Sequence, residues 1–242
     1  MKLGFYYQSA EKPFACEKSL QRLREVYPDA PVCLFSDGDH RLKELSVKYG
    51  CDYLYDDKIG TIDPTGKFHQ SAGLEEMLIG LHRIKMALET SLSDCTHIIL
   101  YEDDVWALDP VVELPDCDIG GGFFFMYPYV VRKWLQDILK CSDDEIHTFS
   151  PTQNCLGAYV VTGGAFFRKD SFLVALDAFL DLNLGSLYWE VPFREMGKLN
   201  VGLNLMFQAT GMKTLYWHGC YQCVNNHIEP NRNFAHNYKR YY

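Results

Sequence analysis

Three adjacent carboxylates, Glu102, Asp103 and Asp104, follow the apolar run "THIILY" in the stretch "THIILYEDDVWAL", Thr96 to Leu108. Like charges this close repel, so the chain must either expose them to water or supply a cation. One reading is a turn and helix N-cap, because acids suit the dipole at a helix start. The text that follows, "VWALDPVVELP", carries two prolines and little helical period, which weighs against it. Hard divalent ions such as Mg²⁺ and Mn²⁺ take carboxylate oxygens and complete their shells with phosphate oxygens. A metal and diphosphate site is the better reading of the triplet.

Other residues offer chemistry. Glu190 lies in "LYWEVPF" beside Tyr188, Trp189 and Phe193. Apolar surroundings of that kind raise a carboxyl pKa toward neutrality, as suits a general base taking a hydroxyl proton. Glu195 is the alternative, and an exposed loop glutamate is the plain reading. Gly163, Gly164 and Ala165 interrupt two apolar strands, so backbone there must approach something closely, or else make a tight turn. The cluster "HGCYQCVNNH" sets His218, Cys220, Cys223 and His227 together. Its spacing is not that of a zinc finger, so buried thiols and surface histidines describe it better.

The elements that position these groups follow from hydrophobic period. Short apolar runs alternate with helix-period runs through the first half, the signature of β-α-β units with a largely parallel sheet. "LGFYYQ" reads as a first strand, Phe14 to Tyr27 as a helix, "PVCLFSDG" as a second strand, Leu42 to Tyr49 as a short helix and "CDYLY" as a third strand. Asp56 to Ser71 reads as a long loop and a possible lid. Leu74 to Leu92 is an amphipathic helix feeding "THIILY", a run apolar throughout, as a central parallel strand is. The acids therefore sit just past the carboxyl end of a buried strand, the edge where open α/β sheets bind ligands. The second half reads as "CDIGGGFFFMY" (strand), "VVRKWLQDILK" (helix), "CLGAYVVTGGAFFRKDSF" (a strand broken at Gly163 and Gly164), helices from Asp170 and from about Leu199, and the strand "KTLYW". No linker divides the halves, so one domain of two lobes is expected over residues 1–242.

Composition bounds the partners. With 48% hydrophobic and 23% charged residues in 242, the chain is an ordinary folded protein. No apolar run reaches the roughly 20 residues of a membrane span, and the start "MKLGFYYQSAEKPF" turns polar too early for a secretory signal. Nine cysteines spread through apparent core segments fit reduced thiols and a cytoplasmic location. Thirty-two acids against 23 bases give a net charge of -9 without a basic stripe, which excludes a nucleic-acid polymer as partner.

The apolar strand followed by "EDDVW" resembles the D-x-D signature of glycosyltransferases with the GT-A fold, in the variant E-D-D. The stretches "GFYYQS", "YPDAPVCLFSDG", "HRIKMAL" and "GGAFFRKDSF" extend the likeness over roughly Leu3 to Gly211, toward the GT-A enzymes encoded by large algal viruses and related bacterial sequences. The resemblance implies a single GT-A domain with a Rossmann-like nucleotide-sugar-binding half at 1–107 and an acceptor-binding and catalytic half at 108–242. It also implies a UDP-sugar donor, a glycan or glycoprotein acceptor, and Mn²⁺ or Mg²⁺ between the acids and the diphosphate. Carried over, Asp104 is a direct metal ligand, Glu102 reaches the metal or the ribose, and Asp103 orients the pair or approaches the sugar.

Asp37 would hydrogen-bond uracil or ribose, against a plain turn aspartate before Gly38. Tyr6, Tyr7 and Gln8 would stack on or cradle the base, against core packing. Arg83 would meet nucleotide or phosphates, with Lys85 left to solvent. Gly163 and Gly164 would line the donor sugar, and His218 would be a third metal ligand. Many inverting relatives carry an E-D pair ahead of the helix ending at Gly211, where this chain has "LNVGLN"; that departure bears on Glu190 as base and on the inverting outcome. A sugar-phosphate nucleotidyltransferase would need a glycine-rich loop after the first strand, and "YYQSAEKPF" has no glycine. An aspartyl-phosphate phosphatase would need its acids after the first strand. A non-catalytic nucleotide- or carbohydrate-binding module is the rival from another class.

Overall fold

The computed structural model describes residues 1–10, 12–57, 74–122, 125–127, 129–147, 153–160, 163–182, 184, 199–236 and 238. The alternation of the first half is realised as β1 (Leu3–Ser9), α1 (Pro13–Val26), β2 (Val32–Asp37), α2 (Leu42–Lys48) and β3 (Asp52–Asp56). α3 (Leu74–Glu89) then leads into β4 (His97–Glu102) and β5 (Trp106–Ala107). The second half contributes β6 (Ile119–Gly121), β7 (Phe125–Met126), α4 (Tyr129–Leu139), α5 (Asp143–His147), β8 (Ala158–Tyr159), β9 (Phe166–Arg168), α6 (Lys169–Leu180), α7 (Leu199–Ala209), β10 (Thr214–Tyr216), β11 (Cys220–Gln222) and β12 (Phe234–His236).

Both halves enter one seven-stranded sheet flanked by helices, in the order β10-β6-β9-β4-β1-β2-β3. It is mostly parallel; β9 alone among its strands runs antiparallel, to β4 and to β6. The fold is thus the α/β arrangement that the alternation of runs predicts. β4 is central, and Ile98, Ile99, Leu100 and Tyr101 are at most 4% exposed. Burying side chains of this size contributes about 1.5–3 kcal/mol each, which fixes the strand and with it the acids at its end. Met77, Leu81, Ile84 and Leu88 of α3 are buried, as the amphipathic stripe requires.

The strand order reverses beside β1. β2 and β3 extend the sheet to one side of β1, and β4 pairs on the other, with Gln8 opposite Glu102. The crevice beyond the carboxyl ends of β1 and β4 is therefore the topological switch point, the ligand position of an open α/β sheet. β9 joins the edge of β4 through the glycine pair: Gly164 N–H donates to the Leu100 carbonyl at 2.7 Å, and Leu100 N–H donates to the Ala165 carbonyl at 2.8 Å. Gly164 has φ +87°, which a residue with a side chain rarely adopts.

A second sheet of order β11-β12-β5 stands against the acidic end of β4. The sequence reading had no strand at β5, β11 or β12. Elements of two or three residues show no period, and long-range pairing specifies them: β12 lies antiparallel to β5 and parallel to β11. All nine cysteines are free thiols. Among the described residues no helix is long and apolar enough to cross a membrane.

Candidate functional site

Glu102 is the last residue of β4, and Asp103 and Asp104 form the turn into β5. The turn is pinned from three directions. Val105 N–H donates to the Glu102 carbonyl at 3.1 Å, closing it locally. From α1, the Ser19 hydroxyl lies 3.2 Å from the Glu102 carbonyl and 3.0 Å from that of Val105, while Arg22 donates to the Ala107 and Leu108 carbonyls at 2.7 and 2.8 Å. From the C-terminal segment, Tyr238 N–H donates to the Asp104 carbonyl at 2.9 Å. No helix starts here, so the N-cap reading of the triplet does not apply.

The three acids divide between two directions. Asp103 accepts from the Ser9 hydroxyl at 3.4 Å, toward β1. Glu102 and Asp104 converge on His236: its Nε2 lies 3.8 Å from Glu102 Oε2 and 3.5 Å from Asp104 Oδ1. One ligand atom of each of the three lies within 4.8 Å of the others; Asp104 is buried, and the His236 side chain is 12% exposed. Two carboxylate charges at that separation repel by about 3.5 kcal/mol at an effective dielectric near 20, less where water screens the half-exposed Glu102. A cation offsets this, and two carboxylates with one imidazole form a donor set that fits a divalent ion such as Mn²⁺.

His236 reaches the acids because β12 pairs with β5, setting Ala235 opposite Trp106 and Phe234 opposite Ala107. The approach also needs Gly163. A Cβ on Gly163 would stand 2.4 Å from Val105 Cγ2, 2.8 Å from His236 Cδ2 and 3.3 Å from His236 Nε2. Gly163 therefore touches the cluster, and Gly164 turns the chain into β9. The histidine that joins the acids is thus His236; His218, the expected third ligand, is placed outside the cluster. It is exposed, and Arg232 engages its ring nitrogen Nδ1 at 3.4 Å. His218 follows a readable strand, whereas His236 is brought in by a three-residue strand and is marked in the sequence only as the histidine of the run "NRNFAHNYKRYY".

The zinc-type cluster is a set of thiols. Cys220 Sγ accepts from Gly122 N–H at 2.9 Å, and the Cys223 thiol donates to the His227 carbonyl at 3.1 Å. Burial pushes the Cys220 thiol up to about 12, so it stays protonated.

On the β1 and β2 side, Arg83 of α3 is 3% exposed and its guanidinium binds two acids, Asp37 at 3.1 Å and Asp56 at 3.0 Å. It also lies over the Phe35 ring, 5.1 Å from the centroid. Burial works against its charge, but Asp37 and Asp56 outweigh that and raise its pKa. Asp37 is therefore an ion-paired acid at the end of β2, not a plain turn aspartate. Lys85 stands 3.9 Å from Glu89 and from Asp177 at the surface. Tyr6 and Tyr7 are 1% and 0% exposed. Their hydroxyls approach Gln8 Oε1 and the Cys16 carbonyl, both at 3.4 Å, and burial raises both phenols well above their ordinary pKa. Gln8, at the end of β1 beside Glu102, is half-buried. Glu190, Glu195 and nearly all of the Asp56 to Ser71 loop lie outside the described residues.

No protein-family model and no curated protein matches the chain. Solved structures do resemble it. One is the galactosyltransferase LgtC in complex with donor and acceptor sugar analogues, at TM-score 0.49 and 11% identity over 96% of this chain and 86% of that one. Another is a cytidylyltransferase from Leptospira borgpetersenii serovar Hardjo-bovis, at TM-score 0.44 and 10% identity over 90% and 76%. A third is the bifunctional glycosyltransferase WbbM in its apo form, at TM-score 0.48 and 10% identity over 97% of this chain and 45% of that one. These are likenesses in the course of the chain and say nothing of activity.

Proposed function

We propose that this chain is a metal-dependent glycosyltransferase of the GT-A type, moving a sugar from a UDP-sugar to a hydroxyl of a glycan or glycoprotein acceptor. The observation that carries the reading is the convergence of Glu102, Asp104 and His236 at the switch point of the sheet. Asp104, Glu102 and His236 would hold Mn²⁺ or Mg²⁺. The ion, when bound, supplies positive charge where the departing UDP diphosphate gains negative charge. A chain of net charge -9 otherwise has little with which to hold an anionic donor.

The remaining roles belong to the chain itself. Arg83 holds Asp37 at the end of β2, where its carboxylate is offered to the uracil or ribose. Gln8 lies beside Glu102 and faces the same nucleotide. Asp103, held by Ser9, borders the sugar. Gly163 and Gly164 pack backbone against the cluster without side-chain bulk and would line the donor sugar with main chain alone. Glu190 is the proposed general base: it takes the acceptor hydroxyl's proton as the oxygen attacks the anomeric carbon, giving inversion.

The test is incubation with a panel of UDP-sugars and acceptor glycans, with and without Mn²⁺. Release of UDP that requires Mn²⁺ and is lost in Glu190→Gln supports the reading. Nucleotide binding without UDP release marks a binding module instead. Pyrophosphate release from a nucleoside triphosphate and a sugar phosphate marks a nucleotidyltransferase.

A further inference from the structure

His236 carries two ring nitrogens, and only Nε2 faces the acids. Nδ1 lies 3.0 Å from Gln222 Oε1. The contact is built into the sheet: β11 and β12 run parallel with Gln222 and His236 as register partners, so the two side chains leave adjacent strands at the same level. Behind the ring, Gly163 leaves no space for a side chain, as the 2.8 and 3.3 Å clearances of its missing Cβ to His236 Cδ2 and Nε2 show. Gln222 is thus placed to set the tautomer of the imidazole, and Gly163 to limit where its plane can lie.

With the Gln222 carboxamide oxygen toward the ring, as the 3.0 Å contact has it, Nδ1 carries the proton; the flipped amide would instead donate to a bare Nδ1. Nε2 then carries its lone pair, aimed at Glu102 Oε2 and Asp104 Oδ1. A lone pair facing two carboxylates is unfavourable by itself and suited to a cation shared by all three. The opposite tautomer would place N–H on Nε2, donate to Asp104, and close the site with a charge-assisted hydrogen bond. With its oxygen toward Nδ1, Gln222 favours the ligand over the plug. Metal-binding histidines are commonly oriented in this way through their second nitrogen, and loss of such a partner typically lowers metal affinity about 10–100-fold.

We infer that Gln222 is a positioning residue for the metal site, holding His236 in the Nδ1–H tautomer with the Nε2 lone pair toward Glu102 and Asp104. The inference rests on the reading of Glu102, Asp104 and His236 as metal ligands. Two measurements test it, neither needing turnover.

The first is long-range ¹H–¹⁵N NMR of His236 in metal-free protein with the ring neutral. Wild type is expected to show Nδ1–H; Gln222→Met, of similar length and without the amide oxygen, is expected to move population to Nε2–H. The second is calorimetric Mn²⁺ binding. Gln222→Met is expected to weaken Mn²⁺ about 10–100-fold. Gln222→Glu, which keeps an acceptor oxygen at the same reach, is expected to stay within a few-fold of wild type. Nε2–H in wild type overturns the inference, as does equal Mn²⁺ affinity in all three proteins or an equal loss in Met and Glu variants. Wild type that shows Nδ1–H but binds no Mn²⁺ overturns the metal reading and the inference together, whereas normal Mn²⁺ binding with the wrong tautomer overturns the inference alone.

Discussion

Replacing Gly163 by alanine puts one methyl group at the most crowded point of the site. The new Cβ would lie 2.4 Å from Val105 Cγ2 and 2.8 Å from His236 Cδ2. Both fall roughly 1 Å short of a comfortable carbon–carbon contact of about 3.5 Å. Neither neighbour gives way freely: Val105 is fully buried and β-branched, and His236 is bonded to Gln222. Overpacking of this kind costs about 1–3 kcal/mol. At about 2–4 °C per kcal/mol for a chain of this length, the midpoint should fall by roughly 2–12 °C. If the ring moves to make room, Nε2 leaves its position against Glu102 and Asp104, and Mn²⁺ affinity should drop about tenfold or more.

Gly50→Ala is the control, since Gly50 has φ +61° and nothing within 4 Å of a built Cβ. It should cost about 1–2 kcal/mol through backbone strain and leave Mn²⁺ binding alone. Thermal melts and Mn²⁺ titrations of the two variants decide the matter. A Gly163→Ala protein that melts with wild type and binds Mn²⁺ normally refutes the packing argument.

Two further outcomes follow from charge. Arg83→Met leaves Asp37, whose side chain is 7% exposed, without its guanidinium, and should cost about 3–5 kcal/mol in urea unfolding; unchanged stability would mean the trio with Asp56 contributes nothing. Burial, followed by Arg168 alongside, lowers the pKa of His97 below its ordinary 6.5. The unfolded chain therefore takes up that proton first, so folding stability declines as pH falls below about 6.5 and levels off once the folded pKa is passed. His97→Gln should flatten that part of the stability profile, by at most about 1.4 kcal/mol per pH unit.

The parallel half of the sheet was legible because each element carries its own period. β1 and β4 are apolar throughout, and α3 shows its stripe, so the placing of Glu102, Asp103 and Asp104 beyond a central strand could be read from local text. Arg83 was also findable, as a charge on a helix that feeds that strand. What the sequence hid depends on pairing between distant segments. β5, β11 and β12 are too short to show alternation, and their register brings His236 to the acids and Gln222 to His236. The run "CDIGGGFFFMY" reads as one strand but divides into β6 and β7, which join different sheets. Tyr6 and Tyr7 illustrate a different limit: a tyrosine at a strand end reads alike whether it faces a ligand or the core, and both are buried.

The central claim is that Glu102, Asp104 and His236 hold a divalent ion that in turn holds a nucleotide diphosphate. Calorimetric titration of UDP into the full chain, with and without Mn²⁺, tests it most directly, with Asp104→Ala alongside. The account predicts that Mn²⁺ tightens UDP binding at least about tenfold, near 1.4 kcal/mol, in wild type and not in the variant. UDP affinity that is the same with and without Mn²⁺, or a Mn²⁺ effect that survives Asp104→Ala, contradicts it.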